Sequence, residues 1–167
     1  MNKQALRKWA KGFGKLREDA SSQLLSKLIE TNEYKQAKNI MIFYPMKNEV
    51  NLLELLKDSS KTFFLPKIDG KNLLCCEYKN GDELCESCFK TLEPKTEGVN
   101  KNQIDLVIVP ALCCDKSNYR LGYGGGFYDR FLEDFKGKTV VCLPKELVVE
   151  NIYPEEFDIP VDLVVCC

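Results

Sequence analysis

The sequence predicts a layered α/β domain, and three observations carry that prediction. Strand-length apolar runs recur along the chain with helical patterns between them, and such alternation builds layered α/β domains. Some runs, such as residues 106–109, are apolar throughout, which suits strands covered on both faces of a parallel sheet. Several runs close on proline, whose missing N–H blocks further ladder pairing. With 167 residues, residues 1–167 are read as one domain.

The first helical pattern covers residues 3–11. Leu6, Trp9, Ala10 and Phe13 keep the i, i+3, i+4, i+7 spacing of a core-facing stripe. Lys3 and Arg7, four apart, fall together at one edge of it. Gly12 and Gly14 weaken the helix beyond Lys11. A basic pair so placed is either a solvated face or a clamp for polyphosphate; position alone leaves both open. Further helices are expected over 21–31 and 50–57, and strands over 39–45, 62–66 and 73–78. Residues 84–101, charged and carrying Pro94 and Gly98, read as a long surface connection. A strand over 105–110 and a loop over 111–119 follow. The order then closes with a glycine loop, a helix from Phe127 to Phe135, and strands over 139–144 and 162–167.

Composition excludes several classes of function. A formal charge of -1 gives no basic field for nucleic acid, although six cations crowd the first seventeen positions. No apolar run approaches the ~20 residues of a membrane span, and the N-terminus lacks a secretory signal, so a soluble, cytoplasmic protein is expected. Nine cysteines include the adjacent pairs Cys75-Cys76, Cys113-Cys114 and Cys166-Cys167. Adjacent pairs bridge only with strain, so reduced thiols used as small hydrophobes are the plain reading. Cys85 and Cys88, with Cys75 or Cys76, form the one candidate zinc set, but a second knuckle or histidine partners are wanting. The chain has no histidine. Its chemistry must run on carboxylates, cations, backbone groups and a bound cofactor.

The stretch RLGYGGGFYDRFL, residues 120–132, is the most informative. It joins a strand and its loop to a helix start, where free N–H groups favour an anion. The dinucleotide fingerprint would need glycine at Phe127 or Asp129, and a Walker A loop would need it at Leu132. Neither motif is present, and a plain glycine-rich turn before a helix is the alternative. Asp129, in the helix's first turn, either complements the dipole or holds Mg²⁺. Arg120 caps a carbonyl, forms a surface pair, or clamps charge.

This loop closely resembles the signature of the 5-formyltetrahydrofolate cyclo-ligases, also called methenyltetrahydrofolate synthetases. The likeness extends from Lys3 to Asp162 and includes Lys3 with Arg7, FYPMKNEVN with Glu49, FFLPKI, Leu92-Glu93-Pro94, IDLVIVPAL and EEFDIPVDLVV. It implies a three-layer α/β/α Rossmann-like fold with a mostly parallel sheet and a folate cleft beside an ATP site. Position by position it implies that Lys3, Arg7 and Arg120 grip the ATP phosphates. The nucleotide site would include Lys3, Gln4, Ala5, Leu6 and Arg7, then Arg120, Leu121, Gly122, Tyr123, Gly124, Gly125, Gly126, Phe127 and Tyr128. Catalysis would fall to Arg120, Tyr128 and Lys3. Tyr44 and Glu49 would line the folate pocket, and Asp129 and Asp158 would bind Mg²⁺. Three positions depart from the family pattern: Phe157 stands where many members have histidine, Cys114 where an aromatic is common, and Glu146 where glutamine is usual. The last two are expected to alter the pocket wall.

The implied activity is ATP- and Mg²⁺-dependent closure of 5-formyltetrahydrofolate to 5,10-methenyltetrahydrofolate, with ADP and phosphate released. It needs no protein nucleophile, so the missing histidine is harmless. A monomeric cytoplasmic enzyme that binds a small folate, without nucleic acid or membrane, is implied. A non-catalytic nucleotide- or folate-binding module and a zinc-binding interaction protein are the alternatives.

Overall fold

A computed structural model describes residues 1–167. Five α-helices span Lys3–Lys11 (α1), Gly14–Asp19 (α2), Ser21–Leu28 (α3), Asn32–Gln36 (α4) and Phe127–Leu132 (α5). Six strands precede residue 100: Asn39–Met41 (β1), Thr62–Asp69 (β2), Asn72–Glu77 (β3), Leu84–Glu86 (β4), Leu92–Pro94 (β5) and Gly98–Val99 (β6). Six more follow: Leu106–Ile108 (β7), Cys113–Asp115 (β8), Arg120–Leu121 (β9), Lys138–Leu143 (β10), Val148–Val149 (β11) and Leu163–Cys166 (β12).

The central sheet has seven strands in the order β12-β10-β7-β1-β2-β3-β6. The pairings from β12 through β2 are parallel, and only β2–β3 and β3–β6 are antiparallel. The apolar runs explain the layering. Along β1, Met41 enters one core while Ile40 and Ile42 enter the other; Val107 and Leu106 divide likewise in β7, as do Val141 and Val140 in β10. Successive side chains point to opposite faces, so strands apolar throughout need cover on both sides. Leu6 and Ala10 of α1 and Phe131 of α5 cover one face; Leu24 and Leu28 of α3 and Tyr34 of α4 cover the other. The α/β/α layering is therefore observed.

The strand order positions the site. Numbered along the chain, the five parallel strands run 2-1-3-4-5, and the order reverses between β1 and β7. Ligands of open α/β sheets bind beyond the carboxyl ends of the strands at such a reversal.

Several expectations need correction. α1 does end at Lys11 with Gly12 as its cap, as the glycines led one to expect, but a second helix that was not foreseen, α2, starts at Gly14. The short α4 was not foreseen; the Thr31 side chain accepts the N–H of Tyr34 to cap it. The helix expected over 50–57 is a single 3-10 segment, Leu53–Lys57, where Asn51 accepts the Leu53 N–H and draws the chain into a local turn. α5 ends at Leu132, short of Phe135. The supposed surface connection folds as the β4–β5 hairpin followed by β6. The loop over 111–119 contributes β8 to a three-stranded sheet ordered β11-β8-β9.

Candidate active site

A cleft of about 840 Å³ opens where the strand order reverses. Phe43 and Tyr44, just past β1, and Pro110, just past β7, form part of its wall. Around them stand α1, the glycine loop and the β4–β5 hairpin.

Helix α1 delivers the cations. Asn2 caps it by accepting the Ala5 N–H at 2.9 Å, so Lys3, Gln4 and Arg7 lie on the cleft side. Lys3 Nζ stands 2.5 Å from Asp158 Oδ2 and 3.3 Å from Glu155 Oε1, and 5.7 Å from the centre of the Phe157 ring. Arg7 Nε donates to the Gly122 carbonyl at 2.9 Å, which ties the helix to the glycine loop. Ala5 and Leu6 do not line the cleft: Ala5 faces solvent and Leu6 belongs to the core.

The glycine loop bends as its composition requires. Gly124 has φ +108° and Gly126, capping α5, has φ +71°, conformations that cost little only for glycine. Gly122 through Asp129 all line the cleft, as do Arg120 and Leu121. Helix α5 has only six residues, so its dipole is slight and the local cations dominate the field.

Arg120 is the most unusual charge. It is 7 % exposed, donates from Nη1 to the Pro110 carbonyl at 3.1 Å, and lies 3.9 Å from Asp129 Oδ2. Its guanidinium carbon sits 5.5 Å from the Tyr128 ring centre, and its buried Nε has no hydrogen-bond partner. Burial lowers its pKa, opposed by the carboxylate of Asp129. Burial likewise pushes the Tyr128 phenol up. A desolvated donor aimed at nothing is costly in the free protein and suits an anion from outside.

The turn at residues 46–49 presents the other carboxylate. Glu49 is 7 % exposed; it accepts the Met46 N–H at 2.8 Å and the Tyr123 hydroxyl at 3.3 Å. Burial raises its pKa, although both hydrogen bonds and the charge of Arg17 favour the ionised form. Arg17 anchors this turn by donating to the Asn48 carbonyl at 2.9 Å from a nearly inaccessible position.

Asp129 accepts the Ile159 N–H at 3.3 Å, and Asp158 accepts the Glu155 N–H at 2.8 Å. Both line the same cleft. The structure thus brings together Lys3, Gln4, Arg7, Tyr44, Glu49, Arg120, the loop from Leu121 to Tyr128, Asp129 and Asp158.

With this geometry in place, likeness to known proteins becomes decisive. Residues 3–167 match the model of the 5-formyltetrahydrofolate cyclo-ligase family. The chain belongs to that family. The cyclo-ligase of Haemophilus influenzae is 32% identical over 142 residues, covering 77% of this chain and 75% of that protein. The Escherichia coli K12 cyclo-ligase is 32% identical over 141 residues, covering 77% and 78%. The solution structure of the Aquifex aeolicus 5,10-methenyltetrahydrofolate synthetase superposes with a TM-score of 0.85 at 32% identity, over 99% of this chain and 90% of that one. The Mycoplasma pneumoniae synthetase shares the fold, with a TM-score of 0.79 at 23% identity and coverage of 99% and 98%. The cyclo-ligase family is one of enzymes, and this α/β chain carries its architecture and family pattern.

Two of the three departures from the cyclo-ligase pattern lie away from the cleft. Cys114 is fully buried in the core and Glu146 is exposed, and neither lines it, which corrects the expectation that they alter the pocket wall. Phe157 does line it, 61 % exposed at its rim. The zinc alternative fails on geometry. No three Cys, Asp, Glu or His residues converge, because Cys85 donates to the Glu93 carbonyl, Cys88 is exposed, and Cys75 and Cys76 are buried in β3.

Sequence reasoning missed the hairpin wall. Phe89, Thr91, Leu92 and Glu93 all line the cleft, and Phe89 meets Phe127 edge-on at 5.8 Å. The available signal was Ser87, whose hydroxyl accepts the N–H groups of Phe89 and Thr91 and closes the turn.

Proposed function

We propose that this chain converts 5-formyltetrahydrofolate and Mg-ATP to 5,10-methenyltetrahydrofolate, ADP and phosphate. The observation that carries the reading is the unpartnered, buried Nε of Arg120 beside a bare glycine loop and the cations Lys3 and Arg7. Membership of the family supports it.

In the proposed reaction the N5-formyl oxygen attacks the γ-phosphorus. The bond from that phosphorus to the β-bridging oxygen breaks, and ADP leaves with the electron pair. The product is an iminium phosphate. N10 then bonds to the same carbon and yields its proton to the departing phosphate, which takes the C–O electron pair. Such chemistry rests on positioning and charge rather than on a protein nucleophile. Arg120 would hold charge that develops on the transferred group, Lys3 and Arg7 the other phosphate oxygens, and Tyr128 would keep Arg120 in place through ring contact. Backbone from Leu121 to Tyr128 would cradle the nucleotide. Tyr44 and Glu49 would hold the pterin, Glu49 by accepting hydrogen bonds from it.

For the metal, the donor set is two carboxylates, Asp129 and Asp158, with no third acid converging on them. Two carboxylates completed by phosphate oxygens and water are what Mg²⁺ takes, so the residues fit. Bound Mg²⁺ would neutralise phosphate charge. We further read residues 1–167 as one monomeric cytoplasmic domain; no helix is long and apolar enough to cross a membrane.

The test is the near-ultraviolet spectrum of the protein with 5-formyltetrahydrofolate and Mg-ATP. Growth of the methenyl absorption band only when ATP and Mg²⁺ are both present is expected. No growth, with both ligands shown to bind, would leave a non-catalytic binding module on the same fold.

A further inference from the structure

Glu93 is a carboxylate of the cleft to which the proposed reaction gives no task. It sits in β5, is 8 % exposed, and lines the cleft beside Thr91 and Leu92. Oε2 accepts the Ile68 N–H at 3.1 Å, and that is the side chain's one hydrogen bond. No lysine or arginine forms an ion pair with it.

Buried charges are ordinarily met by a counter-ion or by several donors. An ionised carboxylate has about four acceptor positions, and the protein fills one of them here. Glu49 has less capacity to spare, because each of its oxygens accepts one hydrogen bond from the protein and keeps one further position for the pterin. Glu93 Oε1, on the cleft wall, is open to a ligand that brings N–H donors. Ile68, whose N–H Glu93 accepts, and Leu92, the chain neighbour of Glu93, are apolar residues of the cleft wall, and a pairing shielded from water is stronger there.

We propose that Glu93 is a substrate-recognising residue whose Oε1 takes the 2-amino and N3–H edge of the reduced pterin; this rests on the folate reading above. That edge is an amidine-like pair of adjacent N–H donors, which suits a carboxylate. Adenine offers one amino group flanked by ring acceptors, which a carboxylate repels. The triphosphate is also excluded from Glu93 by like charge, and the cations Lys3, Arg7 and Arg120 provide for it elsewhere. Glu93 thus selects the pterin over other flat heterocycles by charge as well as by shape, since a site built to bond a donor rejects analogues lacking it.

The experiment measures binding, so that it does not depend on turnover. Calorimetric titrations with 5-formyltetrahydrofolate, and separately with Mg-ADP, are run on the wild type, Glu93→Gln and Glu93→Asp. Gln keeps an oxygen for the Ile68 N–H while removing the charge and turning the other acceptor into an N–H donor, so a purely structural role would survive it. Melting temperatures check that both variants fold. The expected result is folate binding at least fivefold weaker in Glu93→Gln, with Mg-ADP binding changed by less than twofold. A folate change below fivefold in both variants, or an equal loss of Mg-ADP binding, overturns the proposal. Wild type that binds folate but shows no turnover overturns the cyclo-ligase reading and leaves Glu93 standing; wild type that binds no folate overturns both.

Discussion

Lys3 and Asp158 are separated by 155 positions in sequence and meet at 2.5 Å, with side chains only 16% and 8% exposed. A phosphate-clamp candidate and a metal-ligand candidate thus neutralise each other across the cleft. Under the proposed function, Lys3 would turn to phosphate and Asp158 would help hold Mg²⁺ when nucleotide binds. Lys3→Met leaves Asp158 without its cation and is expected to cost about 1–3 kcal/mol of stability, below the range for fully buried pairs because this one is partly solvated. Adding Asp158→Asn is expected to recover most of that loss, which a double-mutant cycle by denaturant unfolding reads directly. Additive losses in the cycle would mean the pair contributes nothing.

The second prediction concerns pH and Glu49. Its folded pKa is raised above the ordinary 4.5 by burial, so the folded state holds this proton more tightly than the unfolded one. Stability from Glu49 is therefore fully present below its unfolded pKa and is lost as pH rises through the folded value. Glu49→Gln abolishes this titration. The unfolding free energy of the variant relative to wild type is expected to shift in the variant's favour as pH rises from the ordinary 4.5 through the raised folded value, by the linkage relation. A difference that is flat in pH, or that moves the other way, would show that Glu49 is not held in a desolvated state. Folate affinity is expected to fall in the variant at every pH in that range.

The third prediction tests the thiols. Cys75, Cys76, Cys113, Cys114 and Cys142 are buried, whereas Cys88 is exposed and Cys85, Cys166 and Cys167 are half-buried. Burial pushes Cys75 up to about 11 and Cys113 and Cys142 up to about 12. Because the thiolate is the reactive form, a thiol reagent near neutral pH is expected to modify Cys88 first. The five buried thiols should stay unmodified until the chain unfolds, as mass spectrometry of native and denatured samples would show. Modification of Cys113 or Cys114 in native protein would contradict the packing of β8.

How far the sequence could be read depended on the range of the interaction. The parallel strands were legible because burial on both faces writes continuous apolar runs such as Leu106 to Val109, and α1 was legible from the stripe of Leu6, Ala10 and Phe13, although Trp9, read on the same stripe, is exposed. The glycine loop announced itself because φ values such as that of Gly124 demand glycine. The β4–β5 hairpin stayed hidden because its strands have three residues each and mix apolar with charged side chains, and Glu93 takes its hydrogen bond from the distant Ile68. Likewise nothing local joins Lys3 to Asp158, or places Arg17 under the turn that carries Glu49. α5 proved shorter than its aromatic spacing suggested. Phe127 turns to the cleft and Phe89 rather than to the core, and Phe135 stacks on Phe131 from beyond the helix end.

Arg120 sets stability against activity, and that opposition is the last prediction. Its guanidinium is 7 % exposed, and in the free protein Nε is unsatisfied and the nearest carboxylate oxygen lies 3.9 Å away. Burying a charge so incompletely paired is unfavourable, and replacing such groups with apolar side chains of similar volume is often neutral or stabilising. Arg120→Met keeps an unbranched apolar stem that fills much of the same space, while removing the guanidinium and its charge. Its melting temperature is therefore expected to equal or exceed that of wild type. In the proposed reaction the same change removes a donor held ready for the transferred phosphoryl group, and loss of one such donor costs about 3 kcal/mol in the transition state, roughly 100-fold in kcat/KM. Stability and activity should thus move in opposite directions, which loss of folding cannot mimic. A kcat/KM within twofold of wild type would remove Arg120 from the phosphate clamp. A fall in melting temperature matching the loss of activity would make it a structural residue.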